Sequence, residues 1–279
     1  MLSIKEHLTI LYVTVADFFD HHPTVARWRE SNNSEPAFTD AEVLTIALMQ
    51  SYFRTDTLSR TYLMVRANDP RAFPACCSYK QWLQRLNRLS AQLGGMLSEL
   101  AQRDLDETQL YLLDAEPVPV CQPIRHCRVR SLREDGAYFG KSSKGWFFGF
   151  KLHLLVTARG LIINAILTPG NWDDREAAAA LVQRVAGGSV CLGDRGYRRP
   201  LLQDDLLEED GVLLLTRAEA GTEQQALLCS VRERVETTFS QLWARFATRV
   251  FSRSWQGLWT ALLLKMLDYT LCHAGIISA

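Results

Sequence analysis

The sequence predicts an α/β protein in which a mixed five-stranded sheet flanked by helices follows an all-helical N-terminal domain. Three observations carry this expectation. Residues 1 to about 108 show apolar residues at helical spacing, repeated helix-start signals and no convincing strand. From residue 109 the apolar pattern changes to the short runs and alternations of strands. Those strands then interleave with helices in the order βββαβαβα, the pattern of one sheet covered by helices. The division that follows is 1–108 for the helical domain and 109–279 for the sheet domain.

Each element has a local reason. The opening segment MLSIKEHLTILYVTVADFFD is apolar but interrupted by Lys5, Glu6, His7, Asp17 and Asp20, so it reads as an amphipathic helix and not as a leader peptide. Thr39 and Glu42 form a capping box that opens the run VLTIALMQSYF, and Ser78 and Gln81 form a second. The second box opens a helix with Trp82, Leu83, Leu86, Leu89 and Leu93 at helical spacing. Breaks are expected at His22-Pro23, SNNSEP, Asp69-Pro70 and Phe73-Pro74. In the second region Leu110 to Val118, Trp146 to Thr157 and Leu161 to Leu167 are predicted strands, the last two joined by Ala158-Arg159-Gly160. Asp173 to Val185 is a predicted helix with acids in its first turn and a stop at Gly187-Gly188. Ser189 to Gly193 and Gly211 to Thr216 are short strands around a helix at Arg199 to Glu209, and Leu228 to Phe246 is a long helix.

Composition excludes several classes. With 47% hydrophobic and 22% charged residues the chain can bury a large core and is no disordered tail. The apolar run Leu258 to Leu264 is cut by Lys265 and Asp268, short of the roughly 18 to 20 residues a membrane span needs, so no membrane partner is expected. Seven scattered cysteines, an odd number, read as reduced thiols of a cytosolic protein. Cys121, His126 and Cys127 lack the second pair at zinc-like spacing that a structural zinc site requires.

Three carboxylates stand at informative places. Asp114 lies in the predicted first strand, where a charge among apolar neighbours is costly unless paired or metal-bound; a turn residue before Pro117 is the alternative. Asp194 follows the run Val190 to Gly193 at the carboxyl end of a strand, where open α/β sheets place ligands, with a helix cap as the alternative. Glu236 borders the apolar face of the last long helix beside Arg232, and an ordinary i,i+4 ion pair is its bland reading. Three carboxylates without a His or Cys cluster suit oxygen-preferring Mg²⁺ or Mn²⁺. Two such ions about 3.5–4 Å apart serve in-line displacement at phosphorus. A carboxylate-pair glycosidase is the remote alternative and predicts metal-independent activity.

In this order the segments FTDAEVLT (38–45), Asp114 with PVPVC (117–121), WFFGFKLH (146–153), LTPGNWDD (167–174), GDRGY (193–197) and RERVETTFSQL (232–242) resemble the DDE transposases of bacterial insertion sequences, closest to the IS 982 family. The resemblance implies an RNase H-like catalytic domain, with Asp114, Asp194 and Glu236 as the catalytic, metal-holding triad and two Mg²⁺ ions, or Mn²⁺, as cofactors. It implies DNA partners, both element ends and target, a homodimer or higher oligomer that brings two ends together, and a place in the bacterial cytoplasm at the nucleoid. The wider group carries a tyrosine, arginine, glutamate and lysine signature on the last helix. Arg232 and Glu236 match it, while Cys229 and Trp243 stand at the tyrosine and lysine positions. Asp174 competes for the second catalytic place, but with Asp173 it opens an Ala-rich helix and is read as a helix-start residue. His153 is read as a strand histidine satisfied within the fold, since two-metal chemistry needs no imidazole.

The formal charge of zero conceals opposed blocks. Residues 109–153 carry 7 basic and 4 acidic side chains and 228–279 carry 6 and 3, so the excess of positive charge lies beside the candidate acids. The expected DNA contacts are Arg128, Arg130, Lys141 and Lys144 in the loop, with Lys151, Arg195 and Arg232 nearer the acids. In the helical domain Lys80, Gln84, Arg85 and Arg88 lie off the apolar stripe, which suits either a helix-turn-helix-like DNA contact or a plain solvated face.

Overall fold

The structure, a computed structural model, describes residues 2–22, 36–103, 109–143, 145–183, 185–216, 222–244 and 252–277, with side chains left out at 103, 131, 195 and 222–232. The chain forms two compact units, one of Met1–Leu97 with Gln256–Ala279 and the other built mainly of Ser98–Trp243.

The first unit is helical. Helix α1 (Ile4–His21) starts on a capping box in which Ser3 Oγ accepts from the Glu6 amide and Glu6 accepts from the Ser3 amide. It buries Leu8, Leu11, Val15 and Phe18, one face at helical spacing. Helix α2 (Asp40–Tyr52) opens on the expected Thr39–Glu42 box and is buried from Val43 to Met49. It is followed by α3 (Leu58–Asn68) and α4 (Tyr79–Arg88), the latter opening on the Ser78–Gln81 box. The fully buried Trp82 of α4 donates its indole N–H to the Val43 carbonyl at 3.1 Å, tying α4 to α2. Arg85 is no free solvent-facing cation: it binds Asp40 at 2.6 Å and lies over the Phe38 ring. The expectation stopped at residue 246, yet a further helix, α10 (Trp255–His273), completes this unit. Its Gln256 side chain donates to the Asn87 carbonyl at 3.0 Å, and its buried Asp268 accepts from the Ser51 hydroxyl. No helix among the described residues is long and apolar enough to cross a membrane.

The second unit follows α5 (Ser90–Arg103) and holds β1 (Leu110–Cys121), α6 (Arg130–Glu134), β2 (Tyr138–Ser142), β3 (Gly145–Thr157), β4 (Ile162–Pro169), α7 (Asp174–Val182), β5 (Val190–Gly193), α8 (Pro200–Glu209), β6 (Leu213–Thr216) and α9 (Thr222–Ala244). The sheet has six strands, not the five expected; β2 is the addition. Its order is β2-β3-β1-β5-β6, with β4 also pairing β3. Strands β1, β2 and β4 run antiparallel to β3, and β5 and β6 run parallel to β1. A mixed sheet of this order, covered by helices, is consistent with an RNase H-like domain. Its main core packs Tyr111, Leu113, Leu155, Ile163 and Cys191 from one face of the sheet with Ala178, Leu181 and Val182 of α7 and Leu206 of α8.

The β2–β3 hairpin joins the sheet through close backbone contacts. A Cβ at Gly140 would lie 2.2 Å from the Gly170 carbonyl, and one at Gly149 would lie 2.2 Å from the Val118 carbonyl. Only glycine lets these backbones meet.

Candidate active site

Asp114 occupies the middle of β1 opposite Leu154, half-buried, with its own carboxylate accepting from the Ala115 amide at 2.8 Å. Parallel pairing of β1 with β5 joins Leu110 to Val190, Tyr111 to Cys191 and Leu112 to Leu192. Asp114 lies two residues beyond the last pair on β1, and Asp194 directly follows the last residue of β5, so both stand at the carboxyl end of the parallel pairing. Strand parity directs Asp114 away from the core face that carries Tyr111 and Leu113.

The turn after β5 is built to hold Asp194. Arg195–Tyr197 form a single 3₁₀ turn in which the Tyr197 amide donates to the Asp194 carbonyl at 2.9 Å. The Tyr197 ring folds back on Gly193, about where a Cβ would lie: its atoms are 3.0 and 3.1 Å from that point. A larger residue at Gly193 would push the ring out of the core. Tyr197 is 1% exposed and its hydroxyl has no hydrogen-bond partner. Burial first, then the charges of Asp174, Asp114 and Asp194, push its phenol well above the usual range, so the ring remains neutral beside the acids.

Glu236 lies exposed on α9, whose buried face carries Val235, Phe239 and Leu242. Two residues on, the buried Thr238 hydroxyl meets the Gly160 carbonyl at 3.2 Å in the β3–β4 turn. That turn adjoins the Tyr111–Thr157 pair, three register steps, or about 10 Å, from the level of Asp114. Among the described residues no three His, Cys, Asp or Glu side chains gather closely enough to hold a metal. The donor chemistry of the Asp114–Asp194 pair suits a hard divalent cation, and Glu236 does not join it in a three-ligand cluster.

Asp174 belongs to the other face of the sheet. Asp173 caps α7, accepting from the Arg175 amide at 3.0 Å, and Asp174 is the first helical residue, as its helix-start reading requires. Asp174 binds the Lys151 ammonium at 2.8 Å, and Lys151 also donates to the Trp172 carbonyl at 2.8 Å. Lys151, expected among the DNA contacts, therefore has its charge answered inside the fold. His153 is fully buried beside it and shares a 2.8 Å hydrogen bond with the Thr168 hydroxyl. Burial lowers its pKa to about 4 despite the opposing pull of Asp174, so it is a neutral strand residue, as predicted.

Of the other expected DNA contacts, Arg128, Arg130 and Lys141 are exposed. Lys144 lies outside the described residues, as do the side chains of Arg195 and Arg232. The role of Tyr197 was missed although it stands inside the GDRGY segment; its distance of three residues from Asp194, one turn, is the signal that pointed to it.

No curated protein and no solved structure matches the chain. A family model described as Transposase DDE domain matches residues 105–245, just over half of the 279 residues and nearly all of the sheet unit. It spans Asp114, Asp194 and Glu236 together, the first on β1 and the second at the end of its parallel neighbour β5, and the chain belongs to this family of DDE transposases.

Proposed function

We propose that the protein is the transposase of a bacterial insertion sequence, akin to the IS 982 group, that cuts the ends of its element and joins the freed 3′-hydroxyls to target DNA. The observation that carries the reading is the coincidence of the family match with one aspartate on β1 and a second directly after β5, the strand paired parallel to it. Asp114 and Asp194, joined by Glu236 once metal and DNA bring α9 nearer, would hold two Mg²⁺ ions, or Mn²⁺, which when bound would activate an attacking oxygen and stabilise the leaving one. Asp114 supplies its oxygens from β1 and Asp194 from the end of β5, where the 3₁₀ turn with Tyr197 keeps it in place. Glu236 supplies the third carboxylate from α9. Arg128, Arg130, Lys141, Lys144, Arg195 and Arg232 hold backbone phosphates, and binding weakens as salt rises. The working form is a homodimer or higher oligomer, acting on DNA in the cytoplasm.

The test is incubation of the purified protein, with Mg²⁺ and with a chelator, on DNA carrying the repeats that flank its own gene. Metal-dependent nicks at the repeat ends and products joined to a target plasmid are expected. Cleavage without joining would reduce the reading to a nuclease. Undiminished Mg²⁺-dependent cleavage by Asp114→Ala, Asp194→Ala and Glu236→Ala alike would sink the assignment of the triad.

A further inference from the structure

Trp146, at the start of β3, is 66% exposed, the most exposed tryptophan among the described residues. A large indole left in water at the open end of a hairpin is costly, by up to about 2–3 kcal/mol relative to burial. Its cross-strand partner is Lys141 of β2, itself exposed, so the two side chains share one face of the hairpin. Strand alternation puts Trp146 on the same face as Phe148, Leu152 and Leu154, and Leu154 is the register partner of Asp114. The indole thus stands on the face of the sheet that carries Asp114, eight residues along β3, or about 26 Å away.

The surroundings are those of a fixed platform. Phe139 and Phe148 pack ring to ring at 5.1 Å, and His126 of the preceding 3₁₀ turn (Pro123–Arg128) lies against both, at 4.9 and 5.6 Å. That turn also presents Arg125 and Arg128 to solvent. With the hairpin closed onto the sheet at Gly140 and Gly149, Trp146 stands across from Lys141 on the strand that carries Phe148.

Resting on the reading of the protein as a DNA transposase, we propose that the tip of the β2–β3 hairpin is a second DNA contact, in which the Trp146 indole stacks on an unpaired base and Lys141 meets an adjacent phosphate. An aromatic face accepts any base, and neighbouring cations answer the backbone charge. The neutral sum of the chain makes such a local concentration of Arg and Lys around an exposed ring more telling than a general excess would be. At about 26 Å, this contact would lie roughly eight nucleotide steps from the phosphate at Asp114. The hairpin would therefore grip the strand at a distance from the reacting bond and take no part in the chemistry.

The experiment uses the full chain and single-stranded DNA oligonucleotides carrying 2-aminopurine, followed by anisotropy and by the fluorescence of the probe base. Trp146→Ala is expected to weaken single-strand binding about 5- to 100-fold and abolish quenching of 2-aminopurine, while Trp146→Phe retains most of both. Lys141→Gln is expected to lower the salt slope by about one without removing the quenching. Trp172→Ala, on an exposed tryptophan outside the hairpin, is the control and binds as the parent does. Thermal unfolding of each variant checks that the sheet unit is intact. Unchanged binding and quenching by Trp146→Ala, in a protein that does bind DNA, overturns this proposal and leaves the transposase reading standing. Absence of any DNA binding by the parent protein counts against both, and binding to phosphatidylserine vesicles in its place assigns the patch to a membrane surface.

Discussion

On one face of β3, Lys151 and His153 find their partners within the fold: the ammonium sits on Asp174 and the Trp172 carbonyl, and the imidazole meets Thr168. On the opposite face the same strand pairs with Asp114 and begins with the solvent-exposed Trp146 beside Lys141. Asp174 and Asp194 both act on the Tyr197 phenol, yet they differ in origin. Asp174 is the first residue of a helix and is paired to a lysine, whereas Asp194 leaves the end of a strand next to a second aspartate. The two acids thus differ in the element that presents them and in the cation already beside Asp174, and on our reading Asp194 alone of the two is left to a metal.

The widest separation of the two faces comes from substitution of their acids. Asp194→Asn should reduce Mg²⁺-dependent cleavage on the order of 1000-fold or more and leave the unfolding midpoint nearly unchanged. Asp174→Asn should do the reverse, keeping activity per folded molecule; a 1000-fold loss of activity in a fully folded Asp174→Asn protein would move Asp174 into the catalytic set.

Next in size is the Lys151–Asp174 pair. Its side chains are 16% and 32% exposed, between a buried pair and a surface one, so Lys151→Met alone should cost about 1–3 kcal/mol by urea unfolding. The double variant with Asp174→Leu should recover part of that loss, because no charge is then left behind. Strictly additive losses would mean that the two residues do not act together.

The buried His153 adds a pH dependence. Its pKa falls from 6.5 to about 4 on folding, so below the higher value the unfolded chain binds a proton that the native state refuses. Stability is complete above about pH 6.5 and declines as pH drops toward about 4. His153→Gln should flatten this decline by roughly 1–3 kcal/mol between these limits, measured as urea midpoints across the range. His7, buried in the helical unit and also held below its usual pKa by burial, adds a slope of the same sign that this variant leaves in place. The smallest effect belongs to Asp173, which caps α7 and pairs with Arg175 at the surface. Asp173→Ala should cost about 1 kcal/mol of stability and no activity.

Much of this was legible beforehand. The capping boxes at Thr39 and Ser78, the five predicted strands and the helix-start role of Asp174 follow from local rules that the fold obeys. Strand β2 was not legible: YFGKS is five residues with a glycine and a lysine, and it becomes a strand because glycines on three segments let backbones approach. Asp114 could be placed on a strand and Asp194 at the end of one from their flanks, but the pairing that brings those strands together depends on the parallel register, which no local pattern encodes. Helix α10 was hidden for another reason. Lys265 and Asp268 look like the polar face of an apolar run, yet both are buried, with burial holding the Lys265 pKa down to about 8. A helix enclosed on nearly all sides has no strong periodicity to detect.

That last helix also sets an order of events during synthesis. Ser51 meets Asp268 and Asn87 meets Gln256, so the first helices to leave the ribosome belong to a core that closes only after ~170 further residues have been made, on the order of ten to thirty seconds later at bacterial rates. The sheet unit, emerging in between, has all of its strands in hand well before then. Translation thus completes the strands of the sheet unit before the helical unit has its last member, and a message interrupted ahead of Trp255 would leave the opening helices without the helix that closes their core.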